Sequence, residues 1–230
     1  DIWEPEWIHV KGNVFKAKLG KALFEENKGG YNPFETKMDL RTRHEDHTVT
    51  GIPCYEEGYK ISLTLGQVIV NNELFMEVSS LSPSVFKYKN TWKYDSEEQS
   101  IYIHFDEGIV PEEQKIEITT RKQCFAPFIR GLGYIHVKGF IMKYAGNQHP
   151  GGFWKIPENK QAGALSTRSG HHWIIEDNVI KKNKSIGIDF GSEGAVEGVN
   201  IPRDSVRNHI IRDNIISDNG IGGIMGAGSR

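Results

Sequence analysis

Cysteine is nearly absent: Cys54 and Cys124 are the 2 in a chain of 230 residues, too few for the disulfide framework of a small secreted domain. The pair fits either one bridge or two buried thiols, and spacing does not choose between them. Charge of one sign is lacking as well. The 28 Lys and Arg against 30 Asp and Glu leave a formal net charge of -2, dispersed along the chain. A nucleic-acid footprint needs a basic excess or stripe, so no nucleic-acid partner is expected. No apolar run reaches the roughly 20 residues of a membrane span, so no membrane partner is expected either. No clustered acidic calcium motif or metal-ligand spacing occurs, and neither a metal nor another cofactor is expected. The start carries no signal peptide, which fits a cytosolic protein or a mature secreted one. A secreted or periplasmic location is favoured over a cytoplasmic one.

Helical periodicity is also missing. What is present is glycine, 25 residues of it, clustered after residue 130 and mixed with Asn and Asp. Short apolar runs punctuated by Gly, Asn and Asp read as short strands joined by turns. The fold class expected is all-β.

One sentence is written twice. "HHWIIEDNVIKKNKSIGIDFG" (171–191) is answered by "NHIIRDNIISDNGIGGIMGAG" (208–228). Gly163-Ala164-Leu165, Gly187-Ile188-Asp189 and Gly223-Ile224-Met225 align as equivalents. Gly163 and Gly187 are 24 residues apart, and Gly187 and Gly223 are 36 apart. The first spacing is one coil of a parallel β-helix; the second is a coil with "SEGAVEGVNIPRDS" inserted as a loop. Such coils stack because no single turn buries its own apolar face. Asn178 and Asn214, equivalent in the repeat, predict a ladder of stacked side-chain amides, with Asp177 and Asp213 sharing that role. Lys181, Lys182 and Lys184 read as a solvated face.

"YIHVKGFIMKYAG" (134–146) has the same strand-Gly-strand form, and "WIHVKGNVFKAKLG" (7–20) echoes it. The echo predicts a β-helix begun in residues 1–29, interrupted by an insertion at 30–120, and resumed over 121–230. Within the insertion, "KISLTLGQVIVNNELFMEV" predicts a hairpin around Asn71-Asn72, and "TWKYDSEEQSIYIHF" and "QKIEITTR" add further strands. Together they predict a small antiparallel β-sandwich whose aromatics, Trp92, Tyr94 and Tyr102, lie in its core.

The second copy has no acid after its Gly-Ile, whereas the first has Asp189. Alternation along a strand places Asp189 outside the coil if Ile188 and Phe190 point in, stacked between Leu165 and Met225. It lies between two long loops, where binding sites on rigid coils are built. One loop offers His149, Trp154 and Glu158; the other offers Glu193 and Glu197. Two carboxylates with an aromatic face suit a sugar: one acid protonates the leaving oxygen, the other attacks or stabilises, and the ring stacks on the pyranose. The expected catalytic residues are Asp189 as nucleophile or its electrostatic equivalent, and as general acid Glu193, then Glu158, with a residue beyond Arg230 as the third candidate. Trp154, His149, Arg168 and His172 are expected to bind substrate. The bland alternative pairs Asp189 with Arg168 or a nearby Lys as a surface ion pair.

From "YNPF" (31–34) through "GQVIVNNELFMEV", "TWKYDSEEQSIYIHF", "IEITTR", "YIHVKGFIMKYAGNQ", "QAGAL" and "GHHWIIEDNVI" to "SIGIDFG", the chain resembles the β-helix glycosidases of glycoside hydrolase family 120. The resemblance implies a right-handed parallel β-helix with an inserted antiparallel β-sandwich, a β-xylosidase-like activity, and a retaining pair of carboxylates above the coil. Two other readings stay open. A polysaccharide lyase acting on a uronate polymer would use Arg168, His171 and His172 as base and charge neutraliser. A non-catalytic carbohydrate-binding β-helix would show a flat polar face. In each case the partner is an oligosaccharide or polysaccharide. The last residues, "IGGIMGAGSR", carry no polar cap for an open β-helix end. The remainder of the β-helix, in the same or a second chain, is therefore an expected partner.

Overall fold

The computed structural model describes residues 1–25, 30–36, 63–78, 87–148, 161, 163–193 and 206–226. The chain divides into two compact units, Asp1–Met38 with Lys60–Arg121, and Asp39–Tyr59 with Lys122–Arg230. Both are built of strands; the helical content described is α1 (Ala22–Glu25) and a 3-10 turn at Pro111–Glu113.

The first unit holds β1 (Ile8–Lys11), β2 (Val14–Lys18), β3 (Val68–Val70), β4 (Glu73–Glu77), β5 (Thr91–Asp95), β6 (Ser100–His104) and β7 (Ile116–Ile118). They form one curled sheet in the order β1-β2-β6-β5-β4-β3-β7. All pairs are antiparallel except β4–β5. Asn71 (φ 51°) and Asn72 (φ 69°) make the turn between β3 and β4, two positive φ values that asparagine tolerates well. The core gathers Trp3, Phe34, Val68, Trp92, Ile101, Ile103, Phe105 and Ile118.

Three expectations change here. The strands run in one continuous order, where a sandwich would have two facing sheets. Residues 8–18, expected to begin the β-helix, pair antiparallel with each other and with β6. Tyr102 leaves the core because Ile101 and Ile103 take the inner side of β6 and strand parity sends the residue between them the other way. Trp92 is buried as expected, and Tyr94 packs at the core's edge.

The second unit runs through β8 (His136–Lys138), β9 (Ile141–Lys143), β10 (Gly163–Ser166), β11 (Ile174–Glu176), β12 (Val179–Lys181), β13 (Ile186–Asp189), β14 (Ile210–Arg212), β15 (Ile215–Ser217) and β16 (Gly222–Met225). They form three three-stranded sheets, β8-β11-β14, β9-β12-β15 and β10-β13-β16, each parallel throughout. Each circuit of the chain thus adds one strand to every sheet. Ile174 pairs with Ile210, the register the double-isoleucine repeat predicts.

Corners recur with the circuits. After the first strand of each circuit stand Gly139, Asp177 and Asp213, at φ 77°, 54° and 55°. After the second stand Tyr144, Lys182 and Asp218, at φ 64°, 55° and 54°. Asp and Gly are among the residues that enter this left-handed region most readily. The aspartate of each Asp-Asn pair therefore turns the corner, and the asparagine builds the ladder. The Asn178 amide donates to Val137 O and to Asn214 Oδ1, each at 3.0 Å, and its Oδ1 accepts from Phe140 N. Asn183 and Asn219 form a second ladder one corner on. Inside the circuits lie Val137, Met142, Ala164, Leu165, Trp173, Ile175, Ile180 and Ile188.

Candidate functional site

Asp189 ends β13. Its register partners are Ser166 on β10 and Met225 on β16, while Leu165 pairs with Ile188. Aligning the glycine triplets therefore misplaces β10 by one residue. Gly163 pairs with Ile186, not with Gly187, because this register matches the two buried apolar residues Leu165 and Ile188. Gly163 is required where it stands: a Cβ there would lie 2.4 Å from Asp189 N.

Asp189 was expected on an exposed outer face and is fully buried. Ser166, its partner on β10, is buried too. The Asp189 carbonyl accepts from Thr167 N at 3.0 Å, and Oδ1 accepts from Gly191 N at 3.2 Å. Thr167 thus holds the backbone of the strand end, and Gly191 N meets the side chain. Of the partners in the bland alternative, Arg168 turns to Glu193 instead.

Glu193 sits in a clamp. Its side chain keeps 2% of its surface exposed and faces Arg130 Nε at 2.8 Å and Arg168 Nε at 2.9 Å. Arg168 Nη2 reaches the second oxygen at 3.3 Å, and Gln161 N donates to the first at 3.0 Å. The contact to Arg130 Nε is a close ion pair without hydrogen-bond alignment. Arg168 spends its remaining guanidinium nitrogen on the carbonyls of Pro127 and Phe128. Glu193, expected as a general acid, accepts N–H bonds on both oxygens, and Arg168, expected to bind substrate, bonds Glu193 and two backbone carbonyls.

Gln161 completes the arrangement. Its amide donates to Gly191 O, and its Oε1 accepts from Arg168 N. Gln123 donates to Gln161 O, Gly163 O and Ser166 Oγ. Sequence reasoning missed Arg130, Gln123 and Gln161, because no spacing ties residues that meet only after three sheets have closed. Arg168-Ser169 did carry a signal, a polar pair just before a glycine, and Ser169 Oγ accepts from Glu193 N at 2.7 Å.

His172 lies apart from this network, in a ring cluster. Its Nδ1 is 2.8 Å from His171 Nδ1, its Nε2 bonds Asn208, and its ring stacks on Tyr134 at 4.8 Å. His149, Trp154 and Glu158 lie outside the described residues, as does Glu197. Among the described residues, no group of three His, Cys, Asp or Glu could hold a metal ion.

On the first parallel sheet the repeat produces a charge ladder that the sequence could have revealed. Lys138, Glu176 and Arg212 are in register on β8, β11 and β14. Lys138 and Arg212 contact Glu176 at 3.0 and 2.6 Å, and hold its carboxyl down to about 2.

No protein-family profile matches this sequence, and no curated protein does. Among solved structures, the chain is similar to XylC in complex with xylose, with a TM-score of 0.74 and 25% identity. The similarity covers 100% of this chain and 40% of that one, so the chain spans well under half of XylC's length.

Proposed function

We propose that this chain is part of a carbohydrate-active enzyme: a xylosidase-like glycoside hydrolase, related to family 120 and built on a right-handed parallel β-helix. The observation that carries the reading is the chain-long likeness to a protein held with xylose. The three parallel sheets, each gaining one strand per circuit, support the β-helix.

Asp189 is the catalytic carboxylate in this reading, as nucleophile or as electrostatic support for an oxocarbenium-like transition state. It stands on a strand, which keeps it in place. Glu158 is the candidate general acid, since both Glu193 oxygens are taken by N–H donors. Trp154 and His149 would bind the sugar. A lyase mechanism is less well supported, because Arg168 is bonded to Glu193 and to two backbone carbonyls and has no fork left for a uronate.

The test is turnover of aryl β-xylosides, other aryl glycosides and uronate polymers, reading new reducing ends and the absorbance of unsaturated sugars. Asp189→Asn should lower kcat/KM on the best glycoside by at least ~10³-fold, about 4 kcal/mol of transition-state stabilisation. Full activity in that variant removes Asp189 from the mechanism. Unsaturated product would favour the lyase, and sugar binding without turnover the binding module.

A further inference from the structure

We infer that Glu193 is a positioning residue: the clamp it forms with Arg130 and Arg168 fixes the strand end that presents Asp189. This rests on the reading of Asp189 as the catalytic carboxylate.

The connection can be followed bond by bond. Arg130 and Arg168 grip the two Glu193 oxygens at 2.8 and 2.9 Å. Glu193 Oε1 also accepts from Gln161 N at 3.0 Å. The Gln161 side chain in turn ties Gly191 O to Arg168 N. Gly191 N then donates to Asp189 Oδ1 at 3.2 Å. One end of this chain is a doubly paired charge, buried and therefore stiff; the other is the carboxylate whose aim decides turnover. Ser169 Oγ, accepting from Glu193 N at 2.7 Å, pins the backbone of the same residue. The two Glu193 carboxylate oxygens accept all their described bonds from N–H groups of the protein.

Positioning and proton donation predict different chemistry. A general acid matters most when the leaving group is poor, and least when it departs unaided. A residue that aims the nucleophile matters equally for all leaving groups. Glu193→Gln and Arg168→Lys should therefore lower kcat by about 10- to 100-fold on dinitrophenyl, nitrophenyl and alkyl xylosides alike, with KM little changed and the shape of the pH profile kept. A loss confined to poor leaving groups, with the alkaline limb of the profile gone, would make Glu193 the general acid and overturn the inference. Hydrogen exchange at the Gly191 amide reads the clamp without any substrate. It should quicken by about 10-fold or more in Arg168→Lys, a variant that keeps the charge and loses the fork. Unchanged exchange there overturns the clamp even if Glu193→Gln fails to fold or no glycoside is cleaved. Asp189→Asn, run alongside, separates the two ideas: its full activity sinks the role of Asp189, whatever the Glu193 variants do.

Discussion

Glu176 and His209 are two residues whose surroundings make stability depend on pH, with the same sign by different causes. Hydrogen bonds from Lys138 and Arg212 hold the Glu176 carboxyl at about 2, below the ordinary glutamate value of 4.5. Its contribution is present above the unfolded value and is lost as pH falls from about 4.5 towards 2. The carboxylate has little exposed surface, but Lys138 and Arg212 are 53% and 59% exposed, so water and salt screen the ladder. Glu176→Gln should make the acid unfolding curve shallower in that window, and added salt should shrink the difference between variant and parent. His209 is displaced by burial, which pushes its pKa down, and the neighbouring His171 and His172 push the same way. A contact with the Gly170 backbone works in the opposite direction, although neither ring nitrogen meets hydrogen-bond geometry. Because the unfolded chain takes up this proton more readily, His209 costs stability as pH falls through 6.5. Replacing it with Gln should flatten the stability profile between pH 7 and 5 in denaturant titrations; an unchanged slope would remove His209 as its cause.

At the scale of the element, strand and corner are separately encoded, which explains both what the sequence revealed and what it hid. "WIHVKG" and "YIHVKG" each give a strand followed by a glycine in the left-handed region, Gly12 at φ 57° and Gly139 at φ 77°. After Gly12 the chain folds back beside itself as β2; after Gly139 it passes into a different sheet as β9. Six residues specify the bend, and partners far along the chain decide what it joins. The asparagine ladder was easier to read, because Asn178 and Asn214 recur one circuit apart; the aspartates, expected to share it, turn the corner instead. Asn178→Ala should cost about 2–4 kcal/mol, since it removes the acceptor of Phe140 N and the donor to buried Val137 O. Asp213→Gly, by contrast, should be close to neutral in chemical denaturation, because glycine keeps the positive φ. Asp213→Val should cost about 1–2 kcal/mol for the strained backbone. Equal effects of these two variants would refute the corner role.

For the whole molecule, the sequence made the all-β class and the repeat register legible, but only part of the site. Asp189 stood out because one copy of the repeat has an acid where the other has methionine. Its burial and the Arg130 clamp did not, since both depend on which residues close over a strand end after the sheets assemble. The two units have separate cores, one around Trp92 and one around Trp173, and this separation gives the sugar-binding proposal a spatial test. Xylose that binds the folded chain stabilises it by mass action, about 2.7 kcal/mol at a hundred times Kd. If Asp189 marks the site, hydrogen-exchange protection on adding xylose should rise in β10, β13 and the segment through Glu193, and stay level in β3 to β7. Protection confined to the seven-stranded sheet would move the sugar to the other unit and leave Asp189 without a substrate. The same titration on Asp189→Asn should keep the protection while turnover is lost, since the isosteric amide still accepts a hydroxyl hydrogen bond but cannot supply the negative charge the transition state needs.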